Sequence, residues 1–197
     1  MGCWTLFSRR PGPIRIEPYS QFVGDNLTGL HDLRLGDNNL SNPIRGLFDQ
    51  MTSLVHFDLS SNRFDVSMLK SLCNASSLTY LDLSENILQG PIPSKIGQLS
   101  KLTNLILSSN KLNGTIPTNL WQLTKLQDFD VRNNSLTGVL SEDHFAKLRE
   151  LKSLDLTGNS LALNVSSSWI PPFQLQEIGM GSIIVGPRFP AWLRTQN

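Results

Sequence analysis

Cysteine is scarce: Cys3 and Cys73 are the only two in 197 residues, so one bridge is the most this chain can form, and a disulfide-stapled scaffold is excluded. Charge imbalance is scarce too. Seventeen Lys plus Arg stand against 16 Asp plus Glu, a formal charge of +1, which leaves no overall field to gather nucleic acid or an anionic membrane. Nowhere does the chain carry the roughly 18 consecutive apolar residues that mark a membrane helix. The first apolar stretch breaks at Arg9 and Arg10 with no charged region ahead of it, so it does not read as a signal peptide. Gly2 follows Met1, but an acylation signal wants Ser or Thr where this chain has Leu6. The three histidines, His31, His56 and His144, have no Ser or Cys partner at a nucleophile motif, and the glycines fall singly rather than in a phosphate-cradling loop. The expectation is a chain with no catalytic residues and no cofactor.

What the sequence has in abundance is one spacing. The pattern L-x-x-L-x-L-x-x-N-x-L begins at Leu30, Leu54, Leu78, Leu102, Leu126, Leu151 and Leu175, at intervals of 24, 24, 24, 24, 25 and 24 residues. Self-similarity at that period identifies leucine-rich repeats. Within each repeat a segment such as Tyr80-Leu81-Asp82-Leu83-Ser84 alternates apolar with polar, the two-residue period of a strand with one buried face. One such strand per coil, always in the same direction, predicts an α/β leucine-rich-repeat solenoid of about seven repeats of 24 residues. Its parallel sheet lines the concave side, with strands centred on residues 33, 57, 81, 105, 129, 154 and 178. Apolar pairs three apart, such as Ile96 with Leu99 and Leu120 with Leu123, predict short 3₁₀ or irregular turns on the convex side. Residues 1–16 fall outside the repeats, 17–29 read as the convex half of a truncated repeat, and 30–197 carry repeats one to seven, the last incomplete.

A polar column interrupts the apolar pattern at Asn38, Asn62, Asn86, Asn110, Asn134 and Asn159. A carboxamide offers two donor hydrogens and a carbonyl acceptor, so each Asn is expected to satisfy backbone groups where the strand turns away. These asparagines are read as structural. At the same position the seventh repeat carries Ile183, and its turn lacks the amide.

Two repeats carry a longer motif, L-x-G-x-I-P, at Leu88–Pro93 and Leu112–Pro117, with a partial copy at Leu136–Leu140. It resembles the plant-specific class of leucine-rich repeats, in which the glycine permits a tight bend and the Ile-Pro pair begins an additional extended segment. The stretch from His144 to Leu161, then Trp169-Ile170-Pro171-Pro172-Phe173-Gln174-Leu175, Gly186-Pro187 and Phe189-Pro190-Ala191-Trp192-Leu193, is similar to cell-surface receptor-like proteins of the ethylene-inducing xylanase receptor group. The likeness runs over about residues 17 to 196. It implies an ectodomain piece of a plasma-membrane protein, normally with a signal peptide, capped repeats, one membrane helix and no kinase, that works with a partner receptor kinase in defence or development. The ligand so implied is a peptide, glycan or protein held on the concave face. Two other readings accompany it: a secreted inhibitor of wall-degrading enzymes built from similar repeats, or a truncated gene product.

The central outward position of the concave strands reads Arg34, Asp58, Asp82, Ile106, Asp130, Asp155 and Gly179, a mostly acidic row. Much of it follows the L-D-L-S consensus of the class, so residues off that consensus are the sharper candidates for recognition: His31, Arg34, His56, Tyr80, Ile106, Asp128, Arg132 and Lys152. His31 and His56 occupy different columns and lack a third ligand, which argues against a metal site. Six sequons, at Asn26, Asn39, Asn74, Asn113, Asn133 and Asn164, are candidate glycosylation sites and point to a secreted parent.

Overall fold

The computed structural model describes residues 5–7, 29–41, 51–72, 75–186 and 190–196. Seven short strands recur on one side of the coil: Asp32–Arg34, His56–Asp58, Tyr80–Asp82, Asn104–Ile106, Asp128–Asp130, Ser153–Asp155 and Glu177–Gly179. Each is centred where the leucine spacing places it. All pair in parallel and in register, so that Leu33, Phe57, Leu81, Leu105, Phe129, Leu154 and Ile178 form one row. Thr5–Phe7 extends this sheet by an eighth strand beside Asp32–Arg34, within the stretch that the repeat pattern leaves out.

A second, four-stranded parallel sheet runs through Gln89–Gly90, Lys111–Gly114, Ser135–Leu140 and Ser160–Leu163. The additional extended segment therefore lies on the L-x-G half of the motif, ahead of the Ile-Pro pair that was expected to begin it. Ile92 and Ile116 are buried, while Pro93 and Pro117 cap the 3₁₀ turns Ser94–Gln98 and Thr118–Gln122 with φ of −63° and −67°. Proline suits that position because its fixed φ and missing N–H cost nothing at a turn's start.

Two convex segments depart from the 3₁₀ expectation. Val66–Leu72 is an α-helix: the segment has no proline, and the Asp65 carboxylate accepts from the Ser67 amide at 2.8 Å to start it. Glu142–Phe145 is a single α-turn held by a capping box between Ser141 and His144.

The polar column does what its chemistry predicts. In Asn86 the Nδ2 group donates to the carbonyls of Leu83 and Ser84 in its own coil and Leu59 in the preceding one, while Oδ1 accepts from the Phe64 amide. Asn62, Asn110, Asn134 and Asn159 repeat the arrangement one coil at a time. Each carboxamide thus closes its own turn and ties it to the coil before. Asn38 closes its own turn on the carbonyls of Leu35 and Gly36.

Immediately before that column the backbone turns left-handed in every coil, at Asp37, Ser61, Glu85, Ser109, Asn133, Gly158 and Ser182, with φ between +52° and +69°. Only at Gly158 is the residue free of strain there. A β-branched side chain tolerates this conformation worst. Ser109→Val is therefore expected to cost about 1–2 kcal/mol, whereas Ser109→Gly stays within about 0.5 kcal/mol of the parent or gains stability. Urea-unfolding midpoints of the two variants check the sign; a valine as stable as the glycine refutes it.

Apolar side chains fill the space between the walls, with Leu54, Leu78, Leu102 and Leu126 fully buried. Toward the last coils the core becomes aromatic. Phe145 lies with ring centroids 5.4 Å from Trp121, 5.7 Å from Trp169 and 6.0 Å from Phe173, and Trp169 reaches Trp192 at 5.3 Å. These spacings suit edge-to-face packing. Among the described residues, no helix is long and apolar enough to cross a membrane.

Candidate ligand-binding surface

Because a strand's side chains alternate, each concave strand turns two residues outward, and in-register pairing lines them into rows across the coils. The first row runs Asp32, His56, Tyr80, Asn104, Asp128, Ser153 and Glu177; the second runs Arg34, Asp58, Asp82, Ile106, Asp130, Asp155 and Gly179. Sequence reasoning named most of the second row and three members of the first. His31 and Lys152 sit just before their strands and are exposed. His31 Nδ1 lies 2.8 Å from the Gly29 carbonyl oxygen, and Lys152 donates to Gln127 at 3.2 Å.

The acidic row is partly committed to the fold. Asp58 and Asp82 each accept, through Oδ1, the amide and hydroxyl of the serine two residues on. Asp130 and Asp155 accept the amides of Arg132 and Thr157 in the same way. One oxygen of each carboxylate thus closes the strand's exit, while Oδ2 of Asp82 accepts from the Tyr80 hydroxyl and Oδ2 of Asp130 and of Asp155 faces Arg132. Burial pushes the Asp82 and Asp130 carboxyls above their ordinary value, while the hydrogen bonds from Ser84 and from Arg132 and Ser108 pull them back.

On the coil after Ile106, Arg132 joins an aspartate of its own coil to one of the next. Arg132 reaches Asp130 at 3.6 Å and Asp155 at 3.5 Å. An open recess of about 320 Å³ lies here, with Asp128, Asp130, Asp155 and Glu177 as its carboxylates, Arg132 as its cation and Ile106 as its outward apolar side chain. Gly179 belongs to this geometry: a Cβ there would fall 2.1 Å from the Asp155 Oδ1, so any larger residue would displace that carboxylate. Asp32, Glu177 and Gly179 escaped selection as candidates. Their signal was positional, since each shares a column with a residue that was chosen.

At the other end of the sheet His56 stacks on Tyr80, centroids 4.1 Å apart and planes 3° from parallel. His56 Nδ1 lies 3.4 Å from the Asp32 carboxylate, which also takes Arg34 at 3.0 Å. Burial lowers the His56 pKa against the pull of Asp32. No group of three or more His, Cys, Asp and Glu residues able to hold a metal occurs among the described residues.

The sequons Asn39, Asn113, Asn133 and Asn164 are exposed and lie off the concave strands. Asn26 and Asn74 lie outside the described residues.

Comparison with known proteins agrees with the coil. Models of the leucine-rich repeat match residues 53–75, 77–99 and 100–161. The receptor-like proteins EIX1 and EIX2 of Solanum lycopersicum are 52% identical over 58 residues, a stretch spanning 29% of this chain and 6% of each tomato protein. The BIR2 ectodomain from Arabidopsis thaliana is 38% identical, with a TM-score of 0.58 over 65% of this chain and 67% of that one. The ectodomain of the membrane receptor kinase GASSHO1/SCHENGEN3 from Arabidopsis thaliana, solved in complex with CASPARIAN STRIP INTEGRITY FACTOR 2, is 27% identical, with a TM-score of 0.71 over 85% of this chain and 20% of that one. By its repeats, its two parallel sheets and these relatives, the chain belongs to the leucine-rich-repeat family, with similarity over part of its length to plant receptor-like proteins.

Proposed function

We propose that the concave sheet is a recognition surface for a peptide or protein segment, within an extracellular receptor-like protein that passes the binding event to a partner receptor kinase. The observation that carries this reading is the recess over the later coils, where four carboxylates and one guanidinium gather beside Ile106 on an open floor. Convergent charged groups beside an apolar side chain can fix the orientation of a polar segment. The placement of the described sequons supports it, since glycans on Asn39, Asn113, Asn133 or Asn164 would leave the concave strands bare. The partner kinase rests on likeness to the receptor-like proteins. On this reading the chain binds and does not catalyse.

A photo-crosslinking amino acid placed at Ser153, on the recess floor, should capture a defined peptide from apoplastic fluid, identified by mass spectrometry, while one at the exposed Lys101 outside the concave strands should not. Equal capture at both positions, or capture at Lys101 alone, overturns the assignment.

A further inference from the structure

The first outward row holds a gap with a definite chemistry. His56 covers one face of the Tyr80 ring, and the opposite face looks along the array toward Asn104, the next residue in register. Asn104 is short, and its Oδ1 accepts from the Thr103 hydroxyl at 2.8 Å, which holds the amide toward the strand's entry. Beyond it stands Asp128. Neighbouring strands are about 4.8 Å apart, so Tyr80 and Asp128 bracket roughly 10 Å, room for one planar group stacked on the ring.

We propose that this gap, walled by Tyr80, Asp82 and Asp128, seats the guanidinium of an arginine side chain carried by an extended peptide. The proposal rests on the concave-face reading and adds to it the sign and shape of the ligand. A guanidinium is flat, stacks on an aromatic face and pairs with carboxylates through several fixed donors. Asp82 Oδ1 is occupied by Ser84, while Oδ2 accepts from the Tyr80 hydroxyl at 3.4 Å, which sets this carboxylate beside the ring. The field there is negative: burial, then Asp82, Asp58 and Asp128, push the Tyr80 hydroxyl up to about 12. The neighbouring cations are engaged elsewhere, Arg34 with Asp32 and Arg132 with Asp130 and Asp155. Ile106, standing where adjacent coils carry aspartate, gives the methylene stem an apolar strip to lie along.

The test titrates the full chain with three peptides, Gly-Gly-Arg-Gly-Gly and its Lys and Glu counterparts, and with xylohexaose, following amide chemical shifts. The Arg peptide is expected to bind several-fold tighter than the Lys peptide, and the Glu peptide not to bind. Tyr80→Ala should weaken the Arg peptide about five-fold, the loss of one cation–π contact, while Tyr80→Phe, which keeps the ring, stays within about two-fold. Asp128→Asn should weaken it about three-fold and less so at high salt. Lys101→Ala, exposed and off the concave strands, should not weaken it. Unchanged melting temperatures confirm that the variants fold.

Binding of the Arg peptide that ignores Tyr80→Ala but is lost in Arg132→Ala overturns the seat and leaves the concave surface as the binding face. Absence of Arg-peptide binding, equal binding of the Glu peptide, or tighter binding of xylohexaose lost in Tyr80→Ala each overturn the seat as well.

Discussion

Asn86→Ala is expected to lower the unfolding free energy by about 3 kcal/mol, far more than the loss of one small side chain from a surface. The change strands the Phe64 amide and removes one donor each from the carbonyls of Leu59, Leu83 and Ser84, which keep the Asn62 Nδ2, Asn110 Nδ2 and Ser61 amide donors. A buried backbone group left without a partner costs roughly 1–3 kcal/mol, and part of that is recovered wherever water enters. Asn86→Asp should be nearly as damaging despite its similar shape, because a carboxylate keeps the acceptor for Phe64 and turns oxygens toward three carbonyls. Denaturant titrations of both variants decide the matter. An aspartate variant as stable as the parent would show that packing, and not donation by Nδ2, gives this column its value.

Phe145→Ala is the other large effect, expected to cost about 3–5 kcal/mol. Phe145 is 2% exposed and touches three rings from two other segments, Trp121 on one and Trp169 and Phe173 on the other. Truncating it opens a cavity that stiff aromatic neighbours cannot close. Because a solenoid is stabilised by contacts between adjacent coils, the damage should be local: amides of the last two coils should lose most protection from hydrogen exchange, and those around Leu81 little. Uniform loss along the array would refute this.

The positions of the concave strands and the Asn column were legible in the sequence because each is dictated within one coil. Leucine alternation sets the strand, and a carboxamide in an apolar setting has few places to go. The second sheet was placed a few residues late, since the Ile-Pro pair that draws the eye marks a buried anchor and a turn cap, while the strand is made by pairing with the coil alongside. The helix at Val66–Leu72 was missed for a related reason: it is set by the absence of the proline that its neighbours carry. On the concave face, Asp58 and Asp82 were read as outward members of a consensus acidic row, and the alternation of the strand does not reveal that one oxygen of each closes its own strand. Gly179 had no signal at all within its coil, because its meaning lies in the lean of Asp155 from the coil before.

In-register pairing makes the concave face a ruler. Its side chains repeat across the array with each strand, about every 4.8 Å. A fully extended peptide lying across the strands turns the same side down every two residues, about 6.7 Å, and soon falls out of step. A peptide wound as polyproline II turns the same side down every third residue, about 9.3 Å, close to two strand spacings. A ligand of that shape can address alternate coils without strain, so proline content in a partner peptide acts here as a setting of pitch.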